Sequence, residues 1–329
     1  MKHKSYLDNV ERKTMVQPSP GKRRLHMCER TEDFNKIIFD SFIKSISQAD
    51  IINYNDTSIL KKRLADFHGV EPENIFLGSG SDQVLSTIFN VFVEKDSYVI
   101  MPEARFPMYD VYAQQNQAQI FDLRYDRNDQ LLTYVPPHIL NKTSLYVIGN
   151  PNSPVGDVLT LDQIEKIALS GIPLVLDQAY GDFGNTYVPT AFVNSGVIFV
   201  NSFSKSWGAA GLRIGYAIAS KETVTILNKL RQMFEVSSLS QKFALTLLDN
   251  IGLCKQYFNE IIIERTELQR LPDVISNYGN WIHLPQEKYL KLCLANNWEV
   301  KVDVTLPNRE GKLIRMSIFK GLHKLLKAV

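Results

Sequence analysis

The rhythm of apolar and polar residues changes several times along the chain. After about 35 polar, irregular residues, "FNKIIFDSFIKSI" carries apolar positions at helical spacing, and "NYNDTS" separates it from the next helix. From Ile75 onward, a short β-rich run, a polar or glycine-containing turn and a helical stretch recur. Five runs fit this unit: "NIFL" before Gly78, "SYVIM" before Pro102, "SLYVI" before Gly149, "IPLVL" before Asp177 and "GVIFV" before Asn201. The alternation predicts an α/β fold built of βα units around a mainly parallel sheet. After "GYAIA" the pattern turns into a long helical region, roughly Lys221 to Asn250, and then into shorter mixed elements through "WIHL" and "LIRMSI". The chain divides on this reading into an N-terminal segment, 1–35, packing on the small domain, a large domain, 36–225, and a smaller α+β domain, 226–329.

Charge and cysteine content narrow the partners. Acidic and basic groups nearly cancel, leaving a formal net charge of +2, and the basic run "GKRR" is short, so nucleic acid is not expected. Cys28, Cys254 and Cys293 are far apart and form no C-x-x-C pair, which fits a reducing cytoplasm. Apolar stretches fall short of the roughly 18 residues of a membrane span. "MKHKSYLDNVERK" lacks the apolar core of a signal peptide, and a cytoplasmic location is expected.

In an open parallel sheet, ligands bind beyond the carboxyl ends of the strands. Asn150 and Asn152 follow "SLYVI"; Asp177, with Tyr180 three residues on, follows "IPLVL"; Ser202, Ser204 and Lys205 follow "GVIFV". Singly, Asp177 reads as a helix cap, Asn152 as a turn residue and Lys205 as a solvated cation. Together they deliver an amide, a carboxylate and an amine to one rim. A lysine in a partly desolvated crevice loses affinity for its proton and becomes a nucleophilic amine able to form a Schiff base. "FLGSGSDQVLSTIF" adds backbone N–H groups and a helix N-terminus, which suit a phosphate; a plain capped helix, with Ser81 or Asp82 as the cap, is the alternative. Gln83 stands where the dinucleotide fingerprint needs a third glycine, and no H-E-x-x-H or G-x-S-x-G motif occurs. His68 and His283 read as structural or surface residues.

"SFSKSWGAAGLRIGY" resembles the S-x-S-K-x-x-G-x-x-G-x-R-x-G-Y block of fold-type I pyridoxal-phosphate (PLP) enzymes of the class I/II aminotransferase group, and the chain is most similar to the histidinol-phosphate aminotransferase family. "GNPNSPVG", "LDQAY" and "GSGSDQ" occur in that family's order, and the likeness runs from about Leu25 to Ile318. The resemblance implies the fold-type I PLP transferase architecture and assigns roles. Lys205 would carry the cofactor. Ser202, Ser204 and Arg213 would hold its phosphate with the backbone at Gly80, Ser81 and Asp82, while Gly208 and Gly211 would let the loop pass close by. Asp177 would pair with the pyridine nitrogen, Asn152 and Tyr180 would bond the ring hydroxyl, and Phe106 would stack on the ring. Tyr54 would reach the phosphate held by a second subunit, implying a homodimer. Arg315, Glu29 and Asn152 would address the substrate, Arg315 through its carboxylate.

The resemblance also has departures. Cys28 stands where asparagine is expected, Gln83 replaces a usual glutamate, and Ser153 takes the place of a second asparagine. The implied reaction is amino transfer, with glutamate as donor, a small carbonyl compound, phosphorylated or not, as acceptor, and Lys205, Asp177 and Tyr180 as catalytic residues. Decarboxylation of a phosphorylated amino acid on the same cofactor is the alternative. A non-catalytic PLP-binding protein is a third reading. No metal ligands are expected.

Overall fold

The computed structural model describes residues 3–12, 19–184 and 190–327, without the side chains of residues 190 and 191. Its main sheet has seven strands: β1 (Ile75–Ser79), β2 (Tyr98–Pro102), β3 (Gln119–Leu123), β4 (Thr143–Gly149), β5 (Leu174–Asp177), β6 (Val197–Ser202) and β7 (Ile214–Ile218). Their spatial order is β1-β7-β6-β5-β4-β2-β3. All pairings are parallel except those of β7, which runs against both β1 and β6.

The five predicted runs became strands because each is apolar on both faces, as a sheet covered on two sides requires. Alternate residues separate into two cores. Leu174, Leu176, Val197 and Phe199 join one cluster, whereas Val175, Ile198, Val200 and Ala217 join the other. On the second face, the helix Gly80–Phe92 packs Val84, Leu85, Ile88 and Phe89 against the strands.

Three features depart from the sequence pattern. β3 was not foreseen: it is an edge strand paired only with β2, and its sequence, Gln-Ile-Phe-Asp-Leu, has no continuous apolar run. "GYAIA" became the antiparallel β7. The long helical region is two helices, Lys221–Leu227 and Ser238–Asp249. Each has its own cap, for Ser220 accepts from Thr223 N and Ser237 from Ser240 N, so a new N-terminus begins where one continuous helix was read.

A three-stranded antiparallel sheet follows, with Leu313–Ser317 between Lys301–Val304 and Trp281–Pro285. The N-terminal segment lies along these elements: Leu25 N donates to Glu299 O at 2.8 Å, and Ser317 N donates to Leu25 O at 2.7 Å. That anchoring carries residues 26–30 toward the main sheet. Among the described residues, no helix is long and apolar enough to cross a membrane.

Candidate active site

Strand direction brings the candidate residues to one rim. Gly149 is in register with Asp177, Asp177 with Val200, Ser202 with Gly215, and Ser79 with Ile214. The carboxyl ends of β1, β4, β5 and β6 therefore lie together. Because β7 runs the other way, its beginning lies there too, and Arg213 arrives beside residues more than a hundred positions earlier in the chain.

Asp177 closes β5 with its side chain buried. Its Oδ2 accepts from Tyr109 Oη at 2.8 Å and its Oδ1 from Ala179 N at 3.1 Å. Burial pushes this carboxyl above the ordinary aspartate range, while the Tyr109 and Ala179 bonds and the Lys205 charge work in the opposite sense. Tyr109 escaped the sequence reading; it belongs to the helix Met108–Gln115, and its ring meets Phe106 edge-on at 5.7 Å. The only sequence signal was its spacing three residues after Phe106.

Lys205 follows β6, and its Nζ donates to Met27 O at 2.7 Å while lying 5.8 Å from the Tyr180 ring centroid. Burial draws the ammonium below the usual lysine range; Cys28 opposes this and the Arg315 charge reinforces it. Tyr180 packs edge-on against Trp281 at 4.7 Å, and burial, then the nearby Cys28, pushes its phenol well above the usual range. Cys28 is fully buried, at a left-handed φ of 54°, and its carbonyl accepts from Asn280 Nδ2 at 3.2 Å. The substituted cysteine thus faces Tyr180, which spacing alone did not reveal.

At the start of the helix Gly80–Phe92, Gly80 has φ +76°. A Cβ there would stand 2.4 Å from Arg213 Nη2, and one on Gly215 would stand 2.2 Å from Ser81 N. Only glycine permits the guanidinium and β7 to come so close. Ser79, at the N-cap, makes no side-chain cap bond, and neither Ser81 nor Asp82 is the cap. Gln83 turns back, accepting from Ser79 N at 3.2 Å and donating to Thr87 Oγ1 at 2.9 Å. Ser202 Oγ accepts from Ser204 N at 3.0 Å. Arg213 is half exposed and 3.8 Å from Asp82 Oδ2, a weak pairing that leaves it open to a stronger anion. Of the two loop glycines, Gly208 has φ +73° and lies against Arg30, whereas a Cβ on Gly211 would meet nothing within 4 Å.

Arg315 Nη1 donates to Ser153 Oγ at 3.1 Å and Nη2 to His26 O at 3.5 Å, while its buried Nε has no partner. Ser153, a departure in the sequence, is therefore a contact of this arginine. Glu29 pairs with Arg24 at 3.0 Å. Asn152 is buried in the β4 loop, bonded through Nδ2 to Ala104 O and Tyr125 Oη, with Oδ1 free. Tyr54 stands apart from the rim, 79% exposed and stacked on Phe234 at 3.9 Å.

The donor set fits a phosphorylated, nitrogen-containing aromatic aldehyde such as PLP. Lys205 supplies an amine eased toward its neutral form, Asp177 a carboxylate for a ring cation, and Gly80, Ser81 and Arg213 a cradle for a phosphate. No group of three or more His, Cys, Asp or Glu side chains suited to a metal occurs among the described residues.

Comparison with known proteins agrees with this chemistry. Residues 39–285 match the family model "Aminotransferase class I and II". The histidinol-phosphate aminotransferase of Thermoanaerobacter pseudethanolicus is 35% identical over 270 residues, spanning 79% of this chain and 76% of that protein. The structure of histidinol-phosphate aminotransferase from Sinorhizobium meliloti in complex with pyridoxal-5'-phosphate superposes with a TM-score of 0.80 at 22% identity, covering 93% of this chain and 89% of that one. L-threonine-O-3-phosphate decarboxylase from Porphyromonas gingivalis shares the fold, with a TM-score of 0.74 at 18% identity over 93% and 98% of the two chains.

Proposed function

The chain belongs to the class I and II aminotransferases, PLP-dependent enzymes of fold type I, and from that premise we propose that it transfers the amino group of glutamate to a small phosphorylated carbonyl compound, a reading supported by relatives named histidinol-phosphate aminotransferase. The observation that carries the reading is Lys205 itself: a partly desolvated amine without a carboxylate partner, on the same rim as Asp177 and the Gly80–Arg213 cradle.

PLP, when bound, supplies an electron-withdrawing ring that accepts the charge released at the substrate Cα. Lys205 Nζ would hold the cofactor through its aldehyde. The same nitrogen, an amine whose pKa burial has lowered, would be the base that moves the substrate's Cα proton. Asp177 keeps the ring nitrogen protonated, and Tyr109, donating to its Oδ2, holds that carboxylate in place. Backbone N–H groups at Gly80, Ser81 and Asp82, with Arg213, Ser202 and Ser204, would hold the phosphate, and Phe106 would lie against the ring. Tyr180 and Asn152 address the ring hydroxyl. Arg315 exchanges its Ser153 contact for the substrate carboxylate, a planar bidentate match. Glu29 completes the substrate side, freed from Arg24 as the acceptor enters.

We also infer a homodimer. Tyr54 and Phe234 stack at 3.9 Å yet remain largely exposed, and Ile51, Ile52 and Met233 extend the same kind of surface, each more than 70% exposed. So much exposed apolar area suits burial against a second copy, which would bring Tyr54 to the partner's phosphate. The large part of each subunit is taken as 36–225 and the small part as 226–329, with 1–35 lying on the latter, and the enzyme as cytoplasmic.

The test is the visible absorbance of the purified protein with PLP, before and after glutamate. Conversion of the bound cofactor to its amine form is expected. An unchanged spectrum, together with carbon dioxide release from a phosphorylated amino acid, would replace amino transfer with decarboxylation.

A further inference from the structure

The helix Met108–Gln115 carries two phenols toward the rim. Tyr109 Oη donates to Asp177 Oδ2 at 2.8 Å, and Tyr112, three residues on and on the same helical face, donates through Oη to Asp82 O at 3.0 Å. The first acceptor ends β5, and the second lies in the first turn of the helix Gly80–Phe92. A helix that serves both must be set at a fixed angle and height. Its own beginning supplies little hold: it spans only 8 residues, and Pro107 at the N-cap makes no side-chain cap bond.

What holds that end is Arg105. Its side chain is only 12% exposed, and every guanidinium nitrogen is bonded. Nε donates to Asp110 Oδ1 and Oδ2 at 3.1 and 3.2 Å, and Nη2 to Asp110 Oδ1 at 2.5 Å, a fork on the first turn of the helix. Nη1 donates to Pro102 O at 2.8 Å, at the end of β2, and to Asp122 Oδ1 at 2.7 Å, on β3. One guanidinium thus ties the start of the helix to the two strands that flank it in sequence. Phe106 follows Arg105 directly and Tyr109 directly precedes Asp110, so both lie between the points of attachment. Burial works against the Arg105 charge, but the bonds to Asp110 and Asp122 outweigh it and hold the guanidinium above its usual range.

We propose that Arg105 is a positioning residue that sets the helix Met108–Gln115 so that the Tyr109 hydroxyl meets Asp177, and that through this bond it governs how well the carboxylate holds the cofactor's ring cation. The first step rests on the hydrogen bonds alone, and the second rests on the PLP reading. Lysine is no substitute, since one ammonium cannot span a carboxylate on the helix, a carbonyl on β2 and a carboxylate on β3 in fixed directions.

The experiment titrates PLP into wild type, Arg105→Gln, Tyr109→Phe and the double variant, following the absorbance of the bound cofactor. Arg105→Gln is expected to weaken PLP binding by about tenfold, as the loss of a group that orients a ligating side chain does. In the Tyr109→Phe background the same substitution is expected to cost only about twofold, because the path it acts through is already cut. A general loosening of the fold would lower affinity by the same factor in both backgrounds. That result would overturn the proposal, as would wild-type affinity in Arg105→Gln. Arg105→Lys keeps the positive charge between the two carboxylates and serves where the glutamine variant fails to fold; it too is expected to bind PLP more weakly, and wild-type affinity in it would overturn the proposal. A readout without cofactor separates the two steps. In the proton NMR spectrum of the PLP-free protein, the hydroxyl resonance that Tyr109→Phe removes is expected to be sheltered from exchange in wild type and lost to exchange in the Arg105 variants. Its persistence in those variants would overturn the proposal. If it behaves as expected while wild type never develops the absorbance of bound PLP, the cofactor reading falls and the positioning of Tyr109 by Arg105 stands.

Discussion

The Tyr109 phenol donates to Asp177 Oδ2 at 2.8 Å from the helix between β2 and β3, fixing the buried carboxylate at the end of β5. A hydrogen bond to an ionised group contributes about 1.5–3 kcal/mol. Tyr109→Phe keeps the ring and its edge contact with Phe106 but removes the donor. Asp177 then rises further above the usual aspartate range, and its ionised form holds the ring nitrogen less well. A loss of about 10- to 100-fold in PLP affinity or kcat/KM is expected, with little change in Tm; titration of PLP by absorbance checks it. An unchanged affinity would show that the bond does not support the carboxylate.

Lys205 illustrates a cost carried for chemistry. Burial draws its pKa down, so the folded protein disfavours the charged form that water prefers. Lys205→Ala should abolish the amino-transfer half-reaction. It should also leave the PLP-free protein at least as stable as wild type, because a poorly solvated amine is removed along with its single bond to Met27 O. Calorimetry of the two PLP-free proteins is the check, and a fall of many degrees in Tm would count against it.

The Tyr54–Phe234 stack ties the segment "NYNDTS" to the break between the helices Lys221–Leu227 and Ser238–Asp249. If that surface is the subunit interface, Ile52→Asp with Met233→Asp should convert the protein to monomer in light scattering and remove most activity. Each subunit should remain folded by circular dichroism, since both side chains are more than 70% exposed. Dimers that persist would move the interface elsewhere.

What the sequence made legible follows from what each residue contributes locally. Runs such as "IPLVL" were readable because a strand buried on both faces must be apolar throughout. Lys205, Asp177 and Asn152 were readable because they end such runs. β3 was not, since an edge strand needs only one apolar face. The direction of β7 was hidden as well, and with it the reason Arg213 reaches Gly80, because direction is fixed by pairing across more than a hundred residues. Tyr109 was missed for a related reason: it acts through another side chain, and a phenol in a helix carries no spacing signal. Cys28 was seen as a departure, yet only the fold brings it to Tyr180.

Acid sensitivity follows from two histidines that the sequence left as structural or surface residues. Burial pushes His68 down to about 4, beside the Tyr216 hydroxyl at 2.8 Å, and pushes His283 down to about 3, with Arg315 and Lys301 adding to the effect. Both folded-state values lie below the unfolded value near 6.5. The unfolded chain therefore takes up protons that the folded one refuses once pH drops below about 6.5. Stability is lost as pH falls to about 4 for His68 and about 3 for His283, at about 1.4 kcal/mol per pH unit for each proton. Asp157, raised to about 6 by burial, opposes this, because its folded form binds a proton more readily than its unfolded form. Replacing both histidines by glutamine removes their share and leaves the aspartate's. The expected outcome, from Tm measured between pH 7 and pH 4, is a steep fall for wild type and a flat or reversed profile for His68→Gln/His283→Gln, even if the double variant melts lower at pH 7. Equal slopes for the two proteins would mean that neither histidine stays neutral in the fold.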